Sequence, residues 1–140
     1  MNRYVVLCLV VVFCSIALAE TPKDTKPLFV ISKDGEYGYI NREGKIAIPI
    51  QFNSAENFSE GLAVVNFGED EPYSYIDKSG EIIIDAQFDD ARSFSEGLAA
   101  VSIDMQWGFI DKTGKFAIEP QFDEAGSFSD GLAMVKNGDL

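Results

Sequence analysis

The side chains able to do chemistry in this sequence are carboxylates. Asp and Glu number 23 against 11 Lys and Arg, and there is no His. Without imidazole the commonest general base and zinc ligand are missing. Triad serine hydrolases and zinc hydrolases are therefore out. What remains for acid–base work is a pair of acids, as in glycoside hydrolysis, where the two carboxyl groups stand within about 9.5 Å. Asp89-Asp90 and Asp123-Glu124 are adjacent acids. Both read as loop residues, and such acids are mostly solvated. Gly68-Glu69-Asp70-Glu71 and the turns at Asp77 and Asp111 offer oxygens to a weakly held divalent cation. No Asp-x-Asp-x-Asp-Gly loop is present to make a specific calcium site, and no Gly-rich loop cradles phosphate. The expectation is a protein that is not an enzyme, with no catalytic, cofactor-binding or metal-ligating residue to assign. Gln51, Gln87 and Gln121 share one repeat position. They read as buried amides bonded to loop backbone; a ladder facing a sugar or peptide is the sharper alternative.

The elements that position these groups are announced by repetition. Phe58 to Ala63 reads FSEGLA, Phe94 to Ala99 reads FSEGLA again, and Phe128 to Ala133 reads FSDGLA. Extended in both directions, the match gives three gap-free blocks, 37–65, 73–101 and 107–135. The steps between copies are 36 and 34 residues. The extra length falls in NFGEDEP, between Val65 and Tyr73, so that stretch is expected to be an exposed turn. A period of this size marks a repeat array.

Within each block the apolar residues alternate. Tyr37/Tyr39, Tyr73/Tyr75 and Trp107/Phe109 are two apart, as are Ile46/Ile48, Ile82/Ile84 and Phe116/Ile118. Period two in aromatic and β-branched runs predicts strands. Asn41 to Gly44, Asp77 to Gly80 and Asp111 to Gly114 lie between those runs, each opening on Asx and closing on Gly, which is hairpin chemistry. A third strand follows at 62–65, 98–101 and 132–135, and Leu28 to Ile31 supplies the same strand ahead of the first block. The fold predicted is an all-β tandem repeat of short antiparallel three-stranded meanders, preceded by a signal-peptide helix over 1–19. They form an open, solenoid-like array over 28–140. Three units are too few to close a propeller, which takes about four blades. A return loop such as Gln121 to Gly131 has room for one helical turn.

The repeated positions read as structural. Phe58, Phe94 and Phe128 plug the space under the return loops. Ser59, Ser95 and Ser129 cap the local turn. Gly61, Gly97 and Gly131 let the chain reverse. Glu60, Glu96 and Asp130 stay in water. Gly38, Ser74 and Gly108 face away from the flanking rings and leave a bare backbone patch, or else mark a bulge.

The two ends carry further expectations. Residues 1–19 have one basic residue, an apolar run and Ala17-Leu18-Ala19, the pattern of a cleaved signal peptide. The run is short of the roughly 20 residues a membrane span needs. Cleavage would remove Cys8 and Cys14, and loss of Arg3 would take the formal charge from −12 to −13. A thiol-free, acidic, exported chain points to a secreted or periplasmic protein of the bacterial envelope. Its surface repels nucleic acid and, after cleavage, anionic membranes. Residues 20–27 hold Pro22 and Pro27 and read as a flexible leader. At 136–140 the sequence KNGDL begins a further turn, and an aromatic strand is expected next. The last unit is truncated there, which implies either a fragment of a longer array or an open β edge. Such an edge invites a protein partner or a like chain.

The third block, WGFIDKTGKFAIEPQFDEAGSFSDGLAMV, resembles the WG repeat, also called the KWG repeat, of bacterial proteins. Trp107-Gly108 carries the name-giving pair. Tyr37-Gly38 and Tyr73-Ser74 depart from it. The middle motif stands as Pro120-Gln121-Phe122-Asp123 and weakens to Ala86-Gln87-Phe88-Asp89. The resemblance implies a β-rich tandem repeat used as a binding or scaffold module, without catalytic residues. The function expected is a non-catalytic binding surface for protein partners; the alternative is carbohydrate or peptidoglycan binding through aromatic and amide ladders.

Overall fold

The computed structural model describes residues 26–138. The signal-peptide helix expected over 1–19, most of the leader and residues 139–140 lie outside the described residues. Within them the secondary structure is strand and turn. Strands β1 (Phe29–Lys33), β2 (Glu36–Ile40) and β3 (Ile46–Phe52) form one antiparallel sheet in that order. A second sheet joins β4 (Ser54–Ala55), β5 (Leu62–Asn66), β6 (Tyr73–Asp77) and β7 (Ile82–Phe88). A third joins β8 (Asp90–Ala91), β9 (Leu98–Ile103), β10 (Gln106–Asp111) and β11 (Phe116–Phe122). Finally β12 (Glu124–Ala125) pairs with β13 (Val135–Lys136). Each four-stranded sheet therefore straddles a repeat boundary, taking the last two strands of one repeat and the first two of the next.

The return loops differ from the expectation of a helical turn. Each contains a two-residue strand instead, laid along the edge of the strand that follows. The N–H groups of Asn53 and Glu56 donate to the carbonyls of Asn66 and Val64. The loop backbone is thus satisfied by the sheet and has no need of a helix. The loop closes in a two-residue hairpin in which Ser59 and Leu62 exchange both backbone hydrogen bonds, 2.8 and 3.0 Å. Glu60 and Gly61 both have positive φ, 52° and 91°. That is the mirror-image turn whose twist matches the flanking strands.

Asx side chains hold the other turns. Asp77 Oδ1 accepts the N–H of Ser79 at 2.8 Å and of Glu81 at 3.1 Å. Asn41 and Asp111 repeat the pattern. The longer 66–72 connection is a turn, as its length variation implied. Buried Asn66 fastens it by donating to the carbonyls of Gly68 and Glu71.

The sheets stack face to face, and strand alternation divides the side chains between two cores. Ala63, Val65 and Ile76 pack with Tyr39, Ile48 and Phe52 of the preceding sheet. Leu62, Val64 and Tyr75 point the other way and pack with Ala99, Val101 and Ile110 of the next. Aromatic contacts recur in each unit: Tyr39–Phe58, Tyr75–Phe94 and Phe109–Phe128, at 4.8 to 5.0 Å between centroids. Both readings of Gly38 and Gly108 hold. A Cβ on Gly108 would stand 2.6 Å from the carbonyl oxygen of Ile118, and the β10–β11 register slips beside it. Strands β3, β7 and β11 lie at sheet edges. Pro49 and Pro120 sit in two of them, where no ladder N–H is needed.

Candidate binding surface

The sequence-predicted positions fall into three places. Phe94 is fully buried, while Phe58 and Phe128 are partly buried against their units' cores. Gly61, Gly97 and Gly131 occupy the second residue of the return hairpins, all at positive φ. Tyr37, Tyr73 and Trp107 are half-buried at the starts of the aromatic strands, and the Arg92 guanidinium lies 5.0 Å over the Trp107 ring.

The hairpin tips form a ladder between units, which corrects two expectations. Ser59 and Ser95 do not cap their own turns. Ser59 Oγ donates to the Phe94 carbonyl and Ser95 Oγ to the Phe128 carbonyl, both at 2.7 Å. The acids beside them do not simply project into water. Glu60 accepts the Gly97 N–H at 3.0 Å, and Glu96 accepts the Gly131 N–H at 2.9 Å. Lys112 donates to the Glu60 carbonyl and lies 3.1 Å from its carboxylate. Partial burial works to raise the Glu60 pKa, but these hydrogen bonds and the Lys112 charge outweigh it and hold the carboxyl below its ordinary value. The common signal for this ladder is that Ser and an acid recur at one repeat position; pairing across 35 residues cannot be read from one unit alone.

The adjacent acid pairs considered for chemistry are structurally engaged. Asp89 Oδ2 accepts the Asp104 N–H, and Asp123 Oδ2 accepts the Gly138 N–H. Asp90 bonds the Ala91 N–H, and Glu124 pairs with Lys136 at 2.9 Å. The Asp77 carboxyl is also lowered: slight burial opposes this, and the Ser79, Glu81 and Gly80 donors prevail. Among the described residues no three of His, Cys, Asp and Glu gather as a metal site would require. The Tyr39 and Tyr75 phenols, pushed upward by burial and by Glu56, stay neutral. They donate to the carbonyls of Glu56 and Arg92.

The exposed features lie elsewhere. Gln51, Gln87 and Gln121 are not buried; all three sit exposed on the edge strands β3, β7 and β11. Strand pleating explains this, because each follows the buried-to-exposed alternation that puts the next Phe inside. The apolar exposure that departs from the repeat pattern is at the β13 end. Leu132 is 76% exposed, Met134 82% and Val135 41%, whereas Leu62, Val64 and Val65 at the same repeat positions are 8%, 1% and 0%. A cleft of about 550 Å³ opens beside them, lined by Arg92, Glu124, Ala125, Met134, Lys136 and Asn137. Sequence reading named this edge but not its side chains, since Leu132 and Val135 look identical in type to their buried counterparts.

No curated protein and no solved structure matches the chain. The family model for the WG containing repeat matches residues 37–69, 73–104 and 107–140, starting at the aromatic strand of each unit. The stacked meanders and this threefold match agree: the chain belongs to the WG-containing repeat family.

Proposed function

We propose that the chain is a non-catalytic binding or scaffold module that engages a protein partner at the β13 edge. The observation that carries this reading is the apolar group Leu132, Met134 and Val135, exposed at and just before the two-residue strand β13 and flanked by a cleft. Exposed strand edges recruit further strands, and Glu60, Asp77, Asp89, Asp90, Glu96, Asp111 and Asp123 are occupied by backbone donors. Export through residues 1–19 would place the module in the bacterial envelope or outside the cell. The test is a photo-reactive residue at position 134 in cells, with position 87 on the lateral edge as the comparison. A discrete protein adduct at 134 and none at 87 supports the reading; adducts at neither position, or equally at both, defeat it.

The exposed Gln51, Gln87 and Gln121 row favours a second reading, carbohydrate or peptidoglycan binding. The rings Tyr39 and Tyr75 are buried, which leaves the amides and the half-buried rings of Tyr37, Tyr73 and Trp107 to carry it. Glycan-array binding lost on Gln87→Ala supports this version, and an array without signal removes it.

A further inference from the structure

We infer that residues 85–87 of β7 form a strap that swings away from Ser74 while the rest of the array stays folded. The middle unit then holds the point at which water, or a protease, enters the stack. The inference goes beyond the reading of the β13 end and does not rest on it.

The strap is set by strand register. Tyr75 pairs with Ile84 and Tyr73 with Phe88, so three residues of β7 pass over the single residue Ser74 of β6. Ile84 and Phe88 are buried anchors, 3% and 0% exposed. Asp85, Ala86 and Gln87 between them are all exposed. The same arch crosses Gly38 of β2 and Gly108 of β10. Three differences set the middle copy apart.

The first lies beneath the arch. A Cβ on Gly38 would stand 2.8 Å from the Ile48 carbonyl oxygen and from the Ile50 nitrogen, and one on Gly108 would stand 2.6 Å from the Ile118 oxygen. The outer arches thus rest on bare backbone. Ser74 carries a Cβ and a hydroxyl in that place, so the arch above it cannot settle as low. The hydroxyl is fully buried and has no hydrogen-bond partner among the described residues. Such a group gains hydrogen bonds when its surroundings open to water, which lowers the cost of local opening. The second difference is at the crown. Ile50 and Pro120 are half-buried there, whereas Ala86 is exposed and holds nothing down. The third is stiffness. Pro49 and Pro120 fix φ in the outer arches, and Asp85-Ala86-Gln87 has no such restraint. Opening the strap uncovers little apolar surface, because its three side chains already face solvent and both anchors stay seated.

The test uses the full chain. Amide exchange over 84–88 should run about tenfold faster or more than over 48–52 and 118–122, once intrinsic rates are corrected. It should also be insensitive to low urea, the mark of an opening that exposes little surface, while amides of β5 and β9 speed up with urea. Ser74→Ala removes the buried hydroxyl, and Ala86→Pro copies the half-buried Pro120. Each should slow exchange over 84–88 about fivefold or more. Proteinase K gives an independent reading: its first cut within 37–135, mapped by mass, should fall between 84 and 88 and be delayed in both variants. Circular dichroism checks that each variant keeps its strands; if Ala86→Pro does not, Ser74→Ala decides alone. Exchange over 84–88 no faster than over its two counterparts overturns the inference, as does exchange there that rises with urea in step with β5 and β9. Unchanged exchange in Ser74→Ala, or a first cut elsewhere within 37–135, overturns it as well.

Discussion

The hydroxyl of Ser59 donates across the unit boundary to the carbonyl oxygen of Phe94, at 2.7 Å. Ser95 does the same to Phe128. Together with the Glu60–Gly97 and Glu96–Gly131 bonds, these contacts turn hairpin tips into rungs. Ser95→Ala should cost about 1 kcal/mol, the net worth of one hydrogen bond with its acceptor left partly buried. Urea titration checks the value, and an unchanged midpoint would mean that the rungs follow the stack without supporting it.

Glu60 gives the ladder a pH dependence. Its folded-state pKa lies below the ordinary 4.5. The stability it contributes is therefore complete above the unfolded value and vanishes as pH falls through the lowered one. Glu60→Gln should be less stable than the parent at neutral pH, and the two urea midpoints should converge in acid. A constant gap across the titration would assign the effect to packing.

Met105 is an exposed residue with φ of +64°, in the position that Gly35 fills between β1 and β2. A left-handed conformation costs an L-residue about 1–2 kcal/mol, and the extra freedom of an unfolded Gly returns part of that. Met105→Gly should stabilise the chain by about 0.5–1 kcal/mol, read as a rise in Tm.

Two glycines should behave differently when replaced by Ala. At Gly97 a Cβ meets nothing within 4 Å, so only its φ of +82° resists. The expected cost is about 1–2 kcal/mol. At Gly108 a Cβ would press on backbone atoms at 2.6 to 2.9 Å. Overpacking against backbone adds to the loss, and Gly108→Ala should be the more destabilising by circular dichroism melting.

Ser74 replaces that glycine in the second unit. Its Oγ is fully buried and bonds to nothing among the described residues. Ser74→Ala keeps the Cβ and removes the stranded hydroxyl, an unsatisfied group worth about 1–3 kcal/mol. The variant should melt higher than the parent.

Strand content, turn positions and the site of the longer connection were legible because each depends on neighbours in sequence: alternation in Tyr37/Tyr39, Asx and Gly around Asp77–Gly80, length variation at 66–72. The ladder was not, because Ser59 and Phe94 lie 35 residues apart and a hydroxyl next to a turn fits a local cap equally well. The glutamines were misplaced for a related reason. Phe52 is buried, so pleating turns Gln51 outward, and which face of β3 is covered is set by the neighbouring sheet rather than by neighbours in sequence. The apolar group at β13 was hidden because exposure is a property of what stands opposite, and Leu132 is spelled like Leu62.

Since every full sheet borrows strands from two adjoining units, the boundary drawn by the motif is not a boundary of the folded object. Excising one whole period anywhere along the array, starting from any residue, rejoins the same kinds of neighbours. Such a chain can change its length by recombination in whole-period steps, with no junction to redesign.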